Sequence, residues 1–177
     1  MGGVGRTFAG RTILLDISPS QLAEASGPRV CASALTLPFA DSRFPAVTAL
    51  YMLYFFDEPR LVAAEAMRVL EPGGAFVVCA PSRYDVPELA HVVPDENMSF
   101  YAEDCEPLLR EFCDEVVVNT WDFPMFDVPD QQTVCDYLYS WYYPLLGPDE
   151  AKARATQVEV PLKLTKRGVW AIGYKRR

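Results

Sequence analysis

A single acid at the end of a short apolar run is the feature of this sequence that points most directly to chemistry. The run spans residues 12–15, and Asp16 follows it at once. Such a run is typical of a buried parallel strand, so we expect Asp16 at the strand's carboxyl end. A carboxylate there can accept hydrogen bonds from two ribose hydroxyls. Upstream, G-G-V-G-R at residues 2–6 either allows close approach to a ligand or is a disordered terminus.

A second group of candidates lies in the polar, proline-bearing segment 81–100, which follows a predicted strand. We expect substrate contacts from Tyr84 and His91 there, and from Trp141 in the aromatic run 137–143. Each has an alternative: His91 as a surface histidine, and the aromatic run as a helix face packed on the core. Arg83 and Asp85 could form a local ion pair. No catalytic residue can be assigned from the sequence.

The composition excludes several classes of protein. The chain has 177 residues, a net charge of −8, and half of its residues are hydrophobic, which predicts one domain with a sizeable core and argues against general nucleic-acid binding. With no run of about 18 apolar residues and no signal peptide, we expect a cytoplasmic protein without a membrane partner. Five cysteines without a C-x-x-C and a single histidine favour reduced thiols over disulfides or a metal site.

The first half of the chain predicts strands that alternate with helices. Ser18 suits the N-cap of a helix whose first turn holds Pro19 and whose capping box is completed by Gln21. A short strand is expected at 29–33. The apolar stretch 46–56 predicts the central buried strand of the sheet, ending near Leu53.

A helix should follow from 57–59 and end at the Pro-Gly-Gly of 72–74, before a buried strand at 75–80. Strand, helix and strand in this order imply a right-handed crossover and a parallel sheet. The remaining predicted elements are a helix at 102–112, a strand at 115–121, a helix at 130–143, and two strand segments, 158–165 and 169–175, around a turn at Lys166-Arg167-Gly168. We expect one domain over 1–177, in which 122–157 forms a lid or an insert.

Three motifs in this order carry a family resemblance: L-D-I-S-P-S-Q-L-A-E-A from Leu15, L-P-F-A-D-S-R-F from Leu37, and R-V-L-E-P-G-G-A-F-V-V from Arg68. Together they resemble class I S-adenosylmethionine-dependent methyltransferases, particularly the ubiquinone- and menaquinone-biosynthesis type. The resemblance covers about residues 2–82. It implies an α/β fold with a Rossmann-like sheet that is mostly parallel, has an antiparallel C-terminal strand, and is flanked by helices. It also implies S-adenosylmethionine as cofactor and a small-molecule acceptor.

The resemblance assigns cofactor roles to positions that match the family's motifs. Asp16 matches the acid that holds the ribose, Ile17 the residue that flanks the adenine, and Leu50 the segment that faces the methionine part. The other implied cofactor residues are Gly3 and Gly5, in the glycine loop, and Ser33, Ala34 and Leu35, beside the adenine.

Departures from the family pattern leave two functions open. The family's strand before the glycine loop has no counterpart here, Ser33 stands where an acid is common, and Phe44-Pro45 replaces Phe-Asp. The chain is therefore either a small-molecule methyltransferase or a non-catalytic module that binds a protein partner. A nicotinamide-dependent enzyme fits the motifs less well. Without its first strand the sheet should be interrupted, or be covered by a partner chain or a second copy in a homodimer.

Overall fold

The computed structural model describes residues 12–94, 98–142 and 145–177, and within them the strands form two sheets. The strands are β1 (Leu14–Asp16), β2 (Arg29–Cys31), β3 (Phe44–Leu50), β4 (Leu70–Pro81), β5 (Cys113–Val128) and β6 (Leu162–Lys175). The helices are α1 (Pro19–Ala23), α2 (Pro59–Val69), α3 (Ala102–Phe112), α4 (Gln131–Tyr142) and α5 (Pro148–Ala155), with 3-10 turns at Leu53–Phe55 and Pro87–Leu89. Crossing a bilayer would require a longer and more apolar helix than any in these ranges.

The smaller sheet consists of β1 and β2, which run parallel. Helix α1 begins with Pro19 in its first turn and with Ser18 as its N-cap, as predicted, because the amide of Gln21 donates to Ser18 Oγ at 3.4 Å. The predicted capping box is not completed by Gln21, because the Ser18 amide donates to Asp16 Oδ1. The strand ends at Asp16, as predicted, but its residues are half-buried rather than buried. Only β2 lies beside β1 among the described residues, so part of this strand stays accessible to solvent.

The larger sheet has the strand order β3-β4-β6-β5. As predicted, β3 and β4 are parallel, and the C-terminal strand β6 is antiparallel to both of its neighbours, β4 and β5. The prediction of 46–56 as a central, buried strand is wrong. In the described part of the chain β3 is an edge strand that ends at Leu50, and only Ala49 is buried in it. Hydrophobicity marks this strand correctly, but its burial depends on neighbours that the local sequence does not specify.

One face of the larger sheet packs against α2 and α3 and forms the first hydrophobic core. Phe76, Val78 and Ala80 point toward this core from β4, as the period-two pattern of a strand requires. Leu109 of α3 and Ala66 of α2 belong to the same core. The opposite face includes Trp170, Tyr174 and Val117, which remain 36–41% exposed. Among the described residues, this second face is therefore left largely open to solvent.

The strand β6 is continuous, so the predicted turn at Lys166-Arg167-Gly168 is wrong. Gly168 lies within the strand, opposite Pro81 of β4 and Trp121 of β5. A Cβ at Gly168 would lie 2.2 Å from the Trp121 ring and 2.7 Å from the carbonyl oxygen of Ala80. The glycine therefore serves the close packing of a neighbouring indole ring rather than a change of chain direction.

A second hydrophobic core lies around the outer halves of β5 and β6, beyond Trp121. It contains Leu138 of α4, Leu164 of β6 and Val128 of β5. Segment 81–100 has the polar character of an active-site loop, but Val86, Leu89 and Val92 of its described part are buried in this core. Helix α5 has no counterpart among the sequence predictions, and it contributes Ala151 and Ala155 to the same core.

Candidate functional site

The carboxyl end of β1 presents an acid, Asp16, that uses one of its two carboxylate oxygens among the described residues. Asp16 Oδ1 accepts a hydrogen bond from the amide of Ser18 at 2.8 Å, which fixes the turn into α1. The second oxygen of this carboxylate has no partner among the described residues. The next side chain, Ile17, is 73% exposed. This strand end therefore offers a hydrogen-bond acceptor beside an uncovered aliphatic group.

The loop after β2 lies beside Asp16, since the amide of Ala32 donates to the Asp16 carbonyl oxygen at 3.1 Å. In this loop Ser33 Oγ accepts from the amide of Leu35 at 3.2 Å. Leu35 is exposed, whereas Ala34 packs against the first core. The predicted adenine-side residues thus share one edge of the small sheet with the acid.

Residues 37–41 are fixed by α2, and this contact joins two of the sequence motifs. The guanidinium of Arg68 donates to the carbonyl oxygens of Leu37 and Phe39 at 3.0 and 2.8 Å. It also pairs with Glu65 at 2.7 Å and with Asp41 at 2.7 Å. The hydrogen bond from Arg68 holds the pKa of the Glu65 carboxyl below its usual value.

The end of β3 adds Leu50 and a strained tyrosine to this edge. Leu50 is half-buried and lies opposite Cys79 of β4. Tyr51 has φ 53°, a left-handed conformation that few residues other than glycine adopt. Its amide donates to the Cys79 carbonyl oxygen at 2.9 Å. Burial, followed by the nearby Cys79 and Asp85 groups, raises the pKa of the Tyr51 hydroxyl.

A largely buried ion pair lies beyond the end of β4. Asp85 accepts hydrogen bonds from Lys166 Nζ and, at 2.6 Å, from the amide of Arg167. The side chains of Lys166 and Asp85 are only 10% and 14% exposed. Lys166 Nζ also donates to the Tyr137 hydroxyl at 3.2 Å and lies 5.0 Å from the centre of the Trp141 ring.

The predicted local pair of Arg83 with Asp85 does not form, because Asp85 is engaged by β6. Arg83 lies instead 3.5 Å from Glu103 and 3.7 Å from Asp104 on α3, with its guanidinium over the Tyr101 ring. Ser82 Oγ donates to Glu103 at 2.6 Å. Burial raises the pKa of Glu103, but the hydrogen bond from Ser82 and the charge of Arg83 outweigh this effect and lower it overall.

The three predicted substrate residues do not all lie together. The carbonyl oxygen of Tyr84 lies 3.5 Å from Arg167 Nη1, next to the Asp85–Lys166 pair, and the Trp141 ring faces the same lysine. Both side chains are more than half exposed. His91 is separate: its Nε2 lies 3.3 Å from the carbonyl oxygen of Gln157, in a surface cleft with Glu88 and Leu162.

From the sequence, Lys166 is predicted only as part of a turn and Tyr137 only as a member of the aromatic run 137–143. The pairing of the lysine nevertheless had a detectable signal. In L-K-L-T-K from Leu162, strand alternation places Lys166 on the same face as the buried Leu164. A lysine at a core-facing strand position usually has a buried partner. Gly3 and Gly5 lie outside the described residues. Within the described part, no cluster of three or more histidine, cysteine or acidic residues could hold a metal ion.

Comparison with known proteins relates the N-terminal part of the chain to a methyltransferase domain. The methyltransferase domain family matches residues 3–78, which contain Asp16, the loop after β2, β3 and most of β4. This match covers 76 of the 177 residues, which is less than half of the chain. A demethylmenaquinone methyltransferase from Corynebacterium urealyticum is 40% identical over 71 residues, which are 40% of this chain and 31% of that relative. The match therefore spans about a third of the relative's length.

Solved structures of methyltransferases share the fold. A SAM-dependent methyltransferase from Archaeoglobus fulgidus aligns with a TM-score of 0.59 over 98% of this chain and 80% of its own, at 11% identity. The N-methyltransferase NodS from Bradyrhizobium japonicum, in complex with S-adenosyl-L-homocysteine, aligns with a TM-score of 0.54 over 93% and 66%, at 12% identity. At such identities the alignments establish the methyltransferase architecture of this chain.

Proposed function

We propose that this chain is a methyltransferase that binds S-adenosylmethionine across the carboxyl ends of β1, β2 and β3 and transfers its methyl group to a small-molecule acceptor. The observation that carries the proposal is the unused carboxylate oxygen of Asp16 beside the exposed side chains of Ile17 and Leu35. An acceptor oxygen suits ribose hydroxyls, and two aliphatic side chains suit the faces of an adenine ring. The described residues therefore fit the nucleoside part of this cofactor.

The chain's own part in the reaction is to bind, orient and exclude water. The cofactor, when bound, supplies an electrophilic methyl group on a sulfonium. Asp16 holds the ribose, Leu50 borders the methionine part, and Tyr51 fixes the end of β3 through its bond to Cys79. Alignment of the acceptor with the methyl group accounts for most of the rate enhancement expected in such a displacement.

The acceptor is proposed to lie on the side of Tyr84 and Trp141, with 122–157 as a lid over it. Trp141 supports this arrangement, because it is exposed and belongs to a helix of the second core that contacts the Asp85–Lys166 pair. A quinone-type acceptor is supported by the similarity to the Corynebacterium relative, a demethylmenaquinone methyltransferase. His91 lies apart from these residues and is not included in the proposed acceptor site.

Calorimetric titration with S-adenosyl-L-homocysteine tests the cofactor site. We expect a dissociation constant of about 100 μM or tighter, which corresponds to about −5.5 kcal/mol. Asp16→Asn should weaken binding roughly tenfold, because it removes the charge that strengthens hydrogen bonds to the ribose. Glu115→Gln is the matched control, as it removes an exposed charge on β5. No heat of binding up to millimolar ligand would contradict the proposal.

A second candidate function is a non-catalytic module that binds a protein partner. It is favoured by the edges of β1 and β3, with which no further strand of the described residues pairs, and by the exposed sheet face with Trp170 and Tyr174. Such edges and faces are commonly covered by another strand, chain or helix. A chain that remains folded, fails to bind S-adenosyl-L-homocysteine and forms a stable complex or homodimer by light scattering would favour this function over the first.

A further inference from the structure

The polar cluster of Asp85, Lys166 and Tyr137 lies beside Trp141 and has more hydrogen-bond donors than acceptors among the described residues. Lys166 Nζ carries three protons, and its partners are the Asp85 carboxylate and the Tyr137 hydroxyl. Since a lysine can only donate, the Tyr137 oxygen accepts this bond. Its own hydroxyl proton therefore has no acceptor in the described part of the chain. One N–H and one O–H remain for an oxygen that the protein does not supply.

The cluster is also costly to build, which argues against a purely structural role. A buried ion pair loses hydration on both partners, and an apolar replacement is often at least as stable. Next to Asp85 stands Val86, whose φ of 45° is unusual for a β-branched residue. Strain of this kind concentrates at functional sites. Here it lies beside the carboxylate that holds the Lys166 ammonium in place.

The surroundings of the cluster suit a flat ring. Trp141 is 55% exposed, and its ring faces the lysine at 5.0 Å. Tyr84 is 65% exposed, and its carbonyl oxygen lies near the side chain of Arg167, whose amide binds Asp85. Planar aromatic molecules stack on such side chains. The uncommitted donors of Tyr137 and Lys166 lie next to this aromatic surface.

We propose that Tyr137 and Lys166 together donate hydrogen bonds to a carbonyl or ionised hydroxyl oxygen of a flat aromatic acceptor that stacks on Trp141. This assignment rests on the proposed function, because it takes this side of the site as the acceptor side. Asp85 is then a positioning residue, which holds the lysine without contacting the ligand. An acceptor without a lone-pair oxygen would leave both donors unsatisfied and bind more weakly.

Equilibrium dialysis with two matched probes tests the proposal without turnover. The probes are 2,3-dimethyl-1,4-naphthoquinone, which has two carbonyl oxygens, and 2,3-dimethylnaphthalene, which has the same ring skeleton and none. We expect the quinone to bind at least tenfold more tightly to the wild-type chain. Tyr137→Phe should weaken quinone binding roughly five- to tenfold and leave hydrocarbon binding unchanged. Equal affinities of the two probes, or a Tyr137→Phe variant with unchanged quinone binding, would overturn the assignment.

Lysine variants need a fold-preserving design, because Lys166→Met alone leaves Asp85 buried without its partner. The double variant Asp85→Asn with Lys166→Met removes both charges and should also lose the preference for the quinone. Dialysis needs no cofactor, so its result is independent of calorimetry with S-adenosyl-L-homocysteine. Loss of cofactor binding alone would contradict the proposed function, whereas loss of probe discrimination alone would contradict this assignment.

Discussion

Glu65 and Arg68, one turn apart on α2, bind the backbone amide and the backbone carbonyl group of the same residue, Leu37. Glu65 accepts from the Leu37 amide at 2.8 Å, and Arg68 donates to the Leu37 carbonyl oxygen at 3.0 Å. The two side chains also bind each other at 2.7 Å. Through this contact α2 fixes the chain between β2 and β3, and with it the loop that carries Leu35.

Replacing Glu65 by glutamine should destabilise the fold measurably. Glu65→Gln weakens bonds to a guanidinium and to a backbone amide in a half-buried setting, so we expect a loss of about 1–3 kcal/mol in the free energy of unfolding. Urea denaturation of the wild type and the variant measures this loss of unfolding free energy. Glu106→Gln is the matched control, because its ion pair with Arg110 lies on the exposed side of α3 and should cost less than about 1 kcal/mol. Equal losses in the two variants would refute this account of the contact.

The same carboxyl should contribute to the acid sensitivity of the protein. Its folded-state pKa is lowered, chiefly by the hydrogen bond from Arg68. The stabilising contribution is therefore present above the unfolded-state pKa of about 4.3 and is lost as the pH falls through the lower folded-state pKa. In Glu65→Gln, the decline of unfolding free energy between about pH 5 and pH 3 should be shallower than in the wild type. An unchanged slope would argue against a lowered pKa at this site.

Adding one methyl group at Gly168 should disrupt the sheet. The new Cβ of Gly168→Ala would overlap the Trp121 ring, at 2.2 Å, and the Ala80 carbonyl oxygen, at 2.7 Å. We expect a loss of about 3 kcal/mol or more, together with a change in indole fluorescence. Gly147→Ala serves as the comparison, because nothing lies within 4 Å of its Cβ position. It should cost no more than about 1 kcal/mol, as a change at the N-cap of α5.

The second core should respond to mutation separately from the first. Leu138→Ala removes a fully buried side chain of the proposed lid, and we expect a cost of about 2–5 kcal/mol. Hydrogen exchange should accelerate mainly in α4 and α5, and β3 and β4 should remain protected. Leu109→Ala, in the first core, should show the opposite distribution. Uniform acceleration in both variants would show that the two cores unfold together and would argue against a separate lid.

Local patterns in the sequence predict much of this fold. The helix at 102–112 is confirmed at both ends, because its apolar spacing is helical and strand residues follow it directly. The buried strand at 75–80 is confirmed as part of β4, where alternate residues enter the first core. The positions of two motif residues also follow from the local sequence. Asp16 lies at the end of β1, and Arg68 lies in the last turn of α2.

The features that the sequence did not predict depend on contacts between residues that are far apart in the chain. Gly168 has the local signature of a turn, and only the Trp121 ring, 47 positions earlier, explains why a strand needs glycine there. Asp85 and Lys166 are separated by 81 positions, and no short pattern relates them. The central position predicted for β3 fails for a similar reason, because the local sequence records hydrophobicity but not which strands lie alongside.

The ladder between β5 and β6 extends from Cys113 and Lys175 at one end to Val128 and Leu162 at the other, with register shifts between Cys113 and Glu115 and between Pro124 and Phe126. Its inner half belongs to the first core and its outer half to the second. The second register shift lies in the outer half, and a bulge of this kind bends a strand and increases its twist. The two cores are therefore joined by one pair of strands that can change direction between them while its hydrogen bonds continue on both sides.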